Sequence, residues 1–386
     1  MTSTAQPVPS IDSRTDELLT RLGIEAIVAT SRSNVRHLSG VFLQHMLNWP
    51  IPEEQAFVVW STEGRRELLV PEWCIGLAER DATIDVSTWL ASMTEARGGG
   101  DTAIESVVRI LRKFGLGDGV IGLELKNITA ADLRELESAL PNATFIGVDK
   151  DLSANRVQKT DAEIELIARA AHAAETAMVD AIAEGWVGMT EREFSALLRG
   201  ACIRNGADEV AWLALQWGRF DQFTVPTDEP IKAGETFIIE MGVTVEGYLA
   251  DVQRTVAAGP VDPVTADVYA RLAQVHRKTL ESMSPGKKFA AVNEEFLADM
   301  AANDLVMWDG FHLGHGLGLD AHEGANITER EESEIPSNST YSLEPVVVQP
   351  RLVGIEDVVV VRDEGTSILS WSVDWSKIPE LGTRLA

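Results

Sequence analysis

Cysteine is almost missing from this chain of 386 residues, which has two, Cys74 and Cys202. Both sit in apolar settings, Trp73-Cys74-Ile75 and Ala201-Cys202-Ile203, and no Cys-x-x-Cys pattern occurs. This counts against a disulfide framework or a zinc knuckle, and the expectation is two reduced, buried thiols in a cytoplasmic protein. Long apolar runs are also missing. No stretch approaches the roughly 18 residues of a membrane span, and the start, MTSTAQPVPS, lacks the basic and apolar regions of a signal peptide. Basic residues are scarce, with 33 Lys+Arg against 60 Asp+Glu and a formal net charge of -27. No Lys/Arg cluster offsets the surplus, so the expected partners include neither nucleic acid nor membrane. The glycines of Arg97-Gly98-Gly99-Gly100-Asp101 are not followed by Gly-Lys-Ser/Thr and read as a loop, not a phosphate cradle.

The length and a 45% hydrophobic content are enough for about two domains with sizeable cores. Helical spacing at Asp12–Leu22, Ala103–Phe114 and Ala130–Leu140 alternates with strand candidates at Ala26–Ala29, Ala56–Trp60, Glu67–Val70 and Val120–Glu124, the signature of an α/β domain. The character changes near residue 155. Lys159-Thr160-Asp161-Ala162-Glu163 is a capping signal that opens a long Ala-rich helix to about Glu184, followed by a helix from Thr190 to Asn205. Strands are expected at Thr236–Val245, Gly247–Ala257, Ser339–Val348 and Gly354–Arg362, with a helix between at Pro263–Ser284. The expected domains are 1–155 and 156–386.

In the second half, acids interrupt apolar strand-like runs. Glu240 lies in Phe237-Ile238-Ile239-Glu240-Met241-Gly242-Val243, and Asp251 follows beyond a turn at Glu246-Gly247, so antiparallel strands would bring both to one side of a sheet. Glu344 and Glu356 recur in Ser342-Leu343-Glu344-Pro345-Val346 and Gly354-Ile355-Glu356-Asp357-Val358. Buried acids are costly unless paired or metal-bound, so four in neighbouring strands call for a cation. The Gly-rich run Phe311-His312-Leu313-Gly314-His315-Gly316-Leu317-Gly318-Leu319-Asp320-Ala321-His322-Glu323 adds imidazoles. One imidazole with four carboxylates is an oxygen-dominated set suited to Mn, Fe, Co or Zn.

These motifs resemble the pita-bread metallopeptidases, a family that includes methionine aminopeptidase, Xaa-Pro aminopeptidase, prolidase and creatinase. The resemblance rests on Glu240-x10-Asp251 with Asp251-Val252-Gln253-Arg254-Thr255, on His315-Gly-Leu-Gly before His322-Glu323, on Leu343-Glu344-Pro345 and Ile355-Glu356-Asp357, and on the lead-in Pro226-Thr227-Asp228-Glu229-Pro230-Ile231. Ser31 to Gly40, SRSNVRHLSG, is similar to the entry motif of creatinase and prolidase N-terminal domains. The resemblance implies an α/β N-terminal domain followed by an α+β pita-bread catalytic domain. It also implies one or two divalent metal ions and a homodimer.

By this resemblance Asp251 and Glu356 would bridge two ions, His315 and Glu344 would complete one, and Glu240 the other. Glu344 would relay the proton of a metal-activated water attacking a C–N bond, and His322 would bind the substrate carbonyl. Arg254 and Thr255 would support the ligands from behind. Three positions depart from the family. Glu240 stands where the family has Asp, a shift of about 1.5 Å against tolerances of about 0.2 Å. Phe223 replaces a substrate-contacting histidine, and Gly354 replaces the arginine often found in Xaa-Pro aminopeptidases. Trp212, Trp217, Phe220 and Phe223 form an aromatic stretch that either lines a substrate pocket or packs beneath the ligand strands. The expected substrate is dipeptide-like or a small amide. The alternatives are a creatinase-like metal-free hydrolase, a metal-dependent lyase and a non-catalytic binding module.

Overall fold

The computed structural model describes residues 8–44, 55–89, 102–218, 225–308, 312–348 and 350–385. The loop at 97–101, Phe220 and Phe223 lie outside the described residues. The chain forms two compact units, one of Pro9–Arg156 and one built on Val157–Ala386. Among the described residues, no helix is long and apolar enough to cross a membrane.

The first unit is an α/β domain. Its helices are α1 (Ile11–Leu22), α2 (Arg32–Ser39), α3 (Ile75–Asp81), α4 (Ala103–Lys113), α5 (Ala130–Ala139) and α6 (Asp149–Asn155). The strands are β1 (Ala26–Ala29), β2 (Phe57–Ser61), β3 (Arg66–Pro71), β4 (Asp85–Trp89), β5 (Val120–Leu123) and β6 (Thr144–Gly147). They form a six-stranded mixed sheet in the order β4-β3-β2-β1-β5-β6. Ile27, Val58 and Trp60 pack with Leu18 and Leu19, while Val28 and Val59 pack with Ile110 and Leu111 from the opposite face. Both faces are covered, which is why these strands read as continuous apolar runs.

The SRSNVRHLSG segment folds as α2, started by the Ser31 hydroxyl accepting from the Asn34 N–H at 3.1 Å and ended by Gly40 at φ 79°. Beneath it the buried Glu124 carboxylate accepts from the N–H groups of Thr30 (2.6 Å) and Ser31 (2.8 Å) and from Asn34 Nδ2 (2.6 Å). Arg156 in turn donates to Asn34 Oδ1.

The second unit carries helices α7 (Asp161–Glu184), α8 (Glu191–Arg204), α9 (Pro263–Ser282) and α10 (Phe289–Ala302). Its strands are β7 (Glu209–Trp217), β8 (Thr236–Val245), β9 (Tyr248–Ala257), β10 (Gly314–Gly316), β11 (Asn326–Ile327), β12 (Ser339–Leu343), β13 (Val346–Val347), β14 (Val353–Arg362) and β15 (Gly365–Ile368). The main path of the sheet runs β11-β10-β12-β14-β9-β8-β7. A reciprocal capping box between Thr160 and Glu163 starts α7, as the sequence signal indicates.

Phe237, Ile239, Met241 and Val243 of β8 share one apolar cluster with Ile167 and Ala174 of α7 and with Tyr269 and Leu272 of α9. Alternation then puts Ile238, Glu240 and Gly242 on the opposite face. The β8–β9 hairpin turns at Glu246 (φ 50°) and Gly247 (φ 86°), the pair of positive angles that a tight two-residue turn needs. The run expected as one strand, Ser339–Val348, is broken at Glu344-Pro345. Proline offers no N–H to continue the ladder, and the Glu344 N–H donates instead to the Leu313 carbonyl at 2.9 Å.

Candidate metal and catalytic centre

The register of the hairpin determines which side chains meet. Ala214, Glu240, Gln253 and Glu356 lie opposite one another across β7, β8, β9 and β14, and the neighbouring row is Trp212, Gly242 and Asp251. Directly opposed residues of antiparallel strands share a face, so one face collects Glu240, Asp251 and Glu356. His315 comes from β10, opposite Ser342 of β12, and Glu344 lies just past the end of β12. All five ionisable groups are at most 4% exposed. Ligand atoms of Asp251, His315 and Glu356 lie within 4.8 Å of one another, as do those of Glu240, Glu344 and Glu356. His315 Nε2 is 3.4 Å from Glu344 Oε1 and 3.8 Å from Asp251 Oδ2.

The electrostatics of this cluster are unfavourable as they stand. Burial pushes the Glu240 carboxyl up to about 7, against the pull of hydrogen bonds from Gln253 and Trp212. Asp251, Glu344 and Glu356 are raised well above the usual carboxylate range, first by burial and then by the charge of Glu240 and of one another. Burial also lowers His315 to about 3 and His312 to about 4, and lowers His322, so the imidazoles are neutral. Among the described residues, Asp251 Oδ1, His315 Nε2, Glu344 Oε1 and Glu356 Oε2 are buried without a hydrogen-bond partner. Four orphaned donor atoms from three carboxylates and one neutral imidazole fit a divalent cation, which would relieve both the repulsion and the unmet polarity.

His322 stacks on His315 with ring centroids 3.8 Å apart and a 17° interplanar angle, and it hydrogen-bonds Asn326. The segment carrying it is anchored by a buried ion pair, Lys159 Nζ to Glu323 Oε1 at 2.7 Å. Trp212 lies across Gly242, where a Cβ would come within 2.4 Å of the indole. Trp217 is on the other face of β7, stacked on Phe237 at 4.9 Å as part of the apolar core.

Arg254 also points to the helix side. It donates to Asp357 Oδ1 (2.5 Å), to the Ser370 carbonyl (2.6 Å) and to the backbone carbonyls of Gln253 and Glu356. Thr255 Oγ1 donates to the Gly354 carbonyl (2.8 Å) and accepts the Gly354 N–H (2.9 Å), stapling β9 to β14. Both residues brace the strands that carry the acids, not the carboxylates themselves.

Sequence reasoning missed three participants. His312, given no role, has its Nδ1 3.4 Å from Glu344 Oε1. Lys159 was visible only as part of a cap signal. Gln253 donates its amide to Glu240 Oε2, a contact that depends on cross-strand register and leaves no local pattern.

A two-unit α/β and α+β chain with acids and imidazoles on one sheet face defines a class of hydrolase, and the comparisons agree. The metallopeptidase family M24 model matches residues 164–363, and the creatinase/prolidase N-terminal domain model matches residues 13–158. The chain belongs to the M24 family, with the pita-bread catalytic fold, and is a peptidase-type hydrolase. It is 25% identical over 362 residues to the Xaa-Pro dipeptidase of Pyrococcus horikoshii, covering 92% of this chain and 95% of that one. It is 23% identical over 383 residues to the creatinase of a Bacillus species, covering 92% and 88%. The crystal structure of the X-Pro aminopeptidase from Thermotoga maritima superposes with a TM-score of 0.79 at 24% identity, covering 93% and 99%, and so shares the fold.

Proposed function

We propose that the protein is a divalent-cation-dependent hydrolase that cleaves a C–N bond in a dipeptide-like or small amide substrate. The observation that carries this reading is the clustering of four buried donor atoms, from Asp251, His315, Glu344 and Glu356, that lack hydrogen-bond partners among the described residues. These side chains would hold the ion, which when bound supplies Lewis acidity and a means of ionising water near neutral pH. Mn, Fe, Co and Zn all suit the donor set.

Glu344, ionised, accepts the proton of the attacking water as the C–O bond forms and the carbonyl carbon becomes tetrahedral, then returns that proton to the nitrogen as the C–N bond breaks. His322, its ring plane fixed by His315 and Asn326, hydrogen-bonds the substrate carbonyl oxygen. Trp212 supplies an apolar wall on the same sheet face. The buried free thiols Cys74 and Cys202 support a cytoplasmic location. A homodimer follows from the family resemblance, and sedimentation velocity tests it.

The test is turnover of an Xaa-Pro dipeptide and small-amide panel by the wild type, by Glu344→Gln and by chelated protein. Glu344→Gln is expected to lose roughly 1,000-fold in kcat. Full turnover after exhaustive chelation would sink the reading. Gly354 favours a second one, since no guanidinium stands there to meet a peptide carboxylate. That reading is a creatinase-like hydrolase or a lyase acting on a small molecule, and product identification by mass spectrometry separates it from the first.

A further inference from the structure

Glu240 is the exception in the five-residue cluster. Among the described residues, Asp251, His315, Glu344 and Glu356 each keep a buried atom without a hydrogen-bond partner, and Glu240 does not. Its Oε2 accepts from the Gln253 amide, and its carboxyl also bonds the Trp212 side chain. The two donors come from opposite sides. Gln253 stands between Glu240 and Glu356 in the register row across β8, β9 and β14, while Trp212 reaches over from β7 across Gly242.

Two further features hold this arrangement. At Gly354 a Cβ would sit 1.8 Å from Gln253 Oε1, so the missing side chain there is what admits the amide. At Gly242 the absent Cβ does the same for the indole. Both donors are neutral N–H groups aimed at the carboxyl lone pairs that a cation would use. An ion held by Glu240 would have to displace them, leaving the buried Gln253 amide unmet and breaking the contact to the half-buried Trp212 indole.

We propose that Gln253 and Trp212 withdraw Glu240 from cation binding, so that the centre holds one divalent ion per chain, among Asp251, His315 and Glu356 beside Glu344. This rests on the reading that those residues hold a cation. The second possible trio, Glu240, Glu344 and Glu356, depends on the clamped carboxyl. Gln253 and Trp212 are thus positioning residues that act through Glu240.

The experiment is calorimetric titration of chelated, full-length protein with Mn²⁺, with elemental analysis after desalting and a thermal melt to verify that each variant folds. The wild type is expected to bind one Mn²⁺ per chain. Glu240→Gln is expected to keep that ion with affinity changed by less than about tenfold, whereas His315→Ala loses more than about 100-fold. Gln253→Ala combined with Trp212→Phe frees Glu240 and is expected to raise the count above one. Two ions in the wild type, or loss of the ion in Glu240→Gln, overturns the proposal while leaving the cation-dependent hydrolase standing. Absence of any bound Mn²⁺ in the wild type overturns both.

Discussion

Glu124 in the first unit and Glu356 in the second are both buried carboxylates, and the chain treats them in opposite ways. Glu124 accepts three hydrogen bonds from the start of α2 and from Asn34. Among the described residues, Glu356 has one hydrogen-bond partner, the Ser342 hydroxyl at 2.8 Å, and its other oxygen is orphaned beside Asp251 and His315. The satisfied acid joins a strand end to a helix start. The unsatisfied one keeps its lone pairs for something the polypeptide does not supply. Burial alone therefore does not distinguish a structural acid from a functional one; the census of partners does.

The sharpest way to break this contrast is to exchange the consequences. Glu356→Gln is expected to lower kcat/KM by about 1,000-fold, ~4 kcal/mol, with little loss of stability, as steady-state kinetics and a thermal melt would show. Glu124→Ala should do the reverse. It leaves two buried donors and one half-buried donor unmet and is expected to cost about 3 kcal/mol in a denaturant titration, with Mn²⁺ binding unchanged. If Glu124→Ala abolished cation binding instead, the division between the two acids would be wrong.

A pH series sharpens the comparison further. A carboxyl whose pKa is raised on folding binds its proton more readily in the native state. Its contribution is fully present below the unfolded value near 4.5 and is lost as pH rises through the folded value, about 7 for Glu240. Cation-free protein is thus expected to lose roughly 3 kcal/mol from this group between pH 4.5 and 8. Added Mn²⁺ should offset the decline. The smallest effect is expected for Asn34→Ala, about 1 kcal/mol, and it should add little to Glu124→Ala because the two share a hydrogen bond. Calorimetry across pH and a double-mutant cycle are the respective checks.

Much of the centre was legible because its signals are local. The turn at Glu246-Gly247 forces β8 and β9 to be antiparallel, and two-residue alternation then assigns Glu240 and Asp251 to one face. Glu344-Pro345 and Glu356-Asp357 stand out as polar breaks in apolar runs. What escaped is non-local or lacks punctuation. The Gln253–Glu240 contact depends on a register and on an absent side chain at 354, on a third strand. The strand β7 was hidden because its tryptophans read as an aromatic stretch, although alternation sends Trp212 and Trp217 to opposite faces. Helix α10 begins after Lys288 with no side-chain cap, so the usual start signal is missing.

The contact over Gly354 also constrains how this sequence can change. A side chain at position 354 and the Gln253 amide on Glu240 are alternatives, since a Cβ and the amide oxygen would occupy the same space. Positions 240, 253 and 354 are therefore sterically linked. Any side chain introduced at 354 would push the Gln253 amide from its place beside Glu240, so one change on a third strand would reset the surroundings of a carboxylate it never touches.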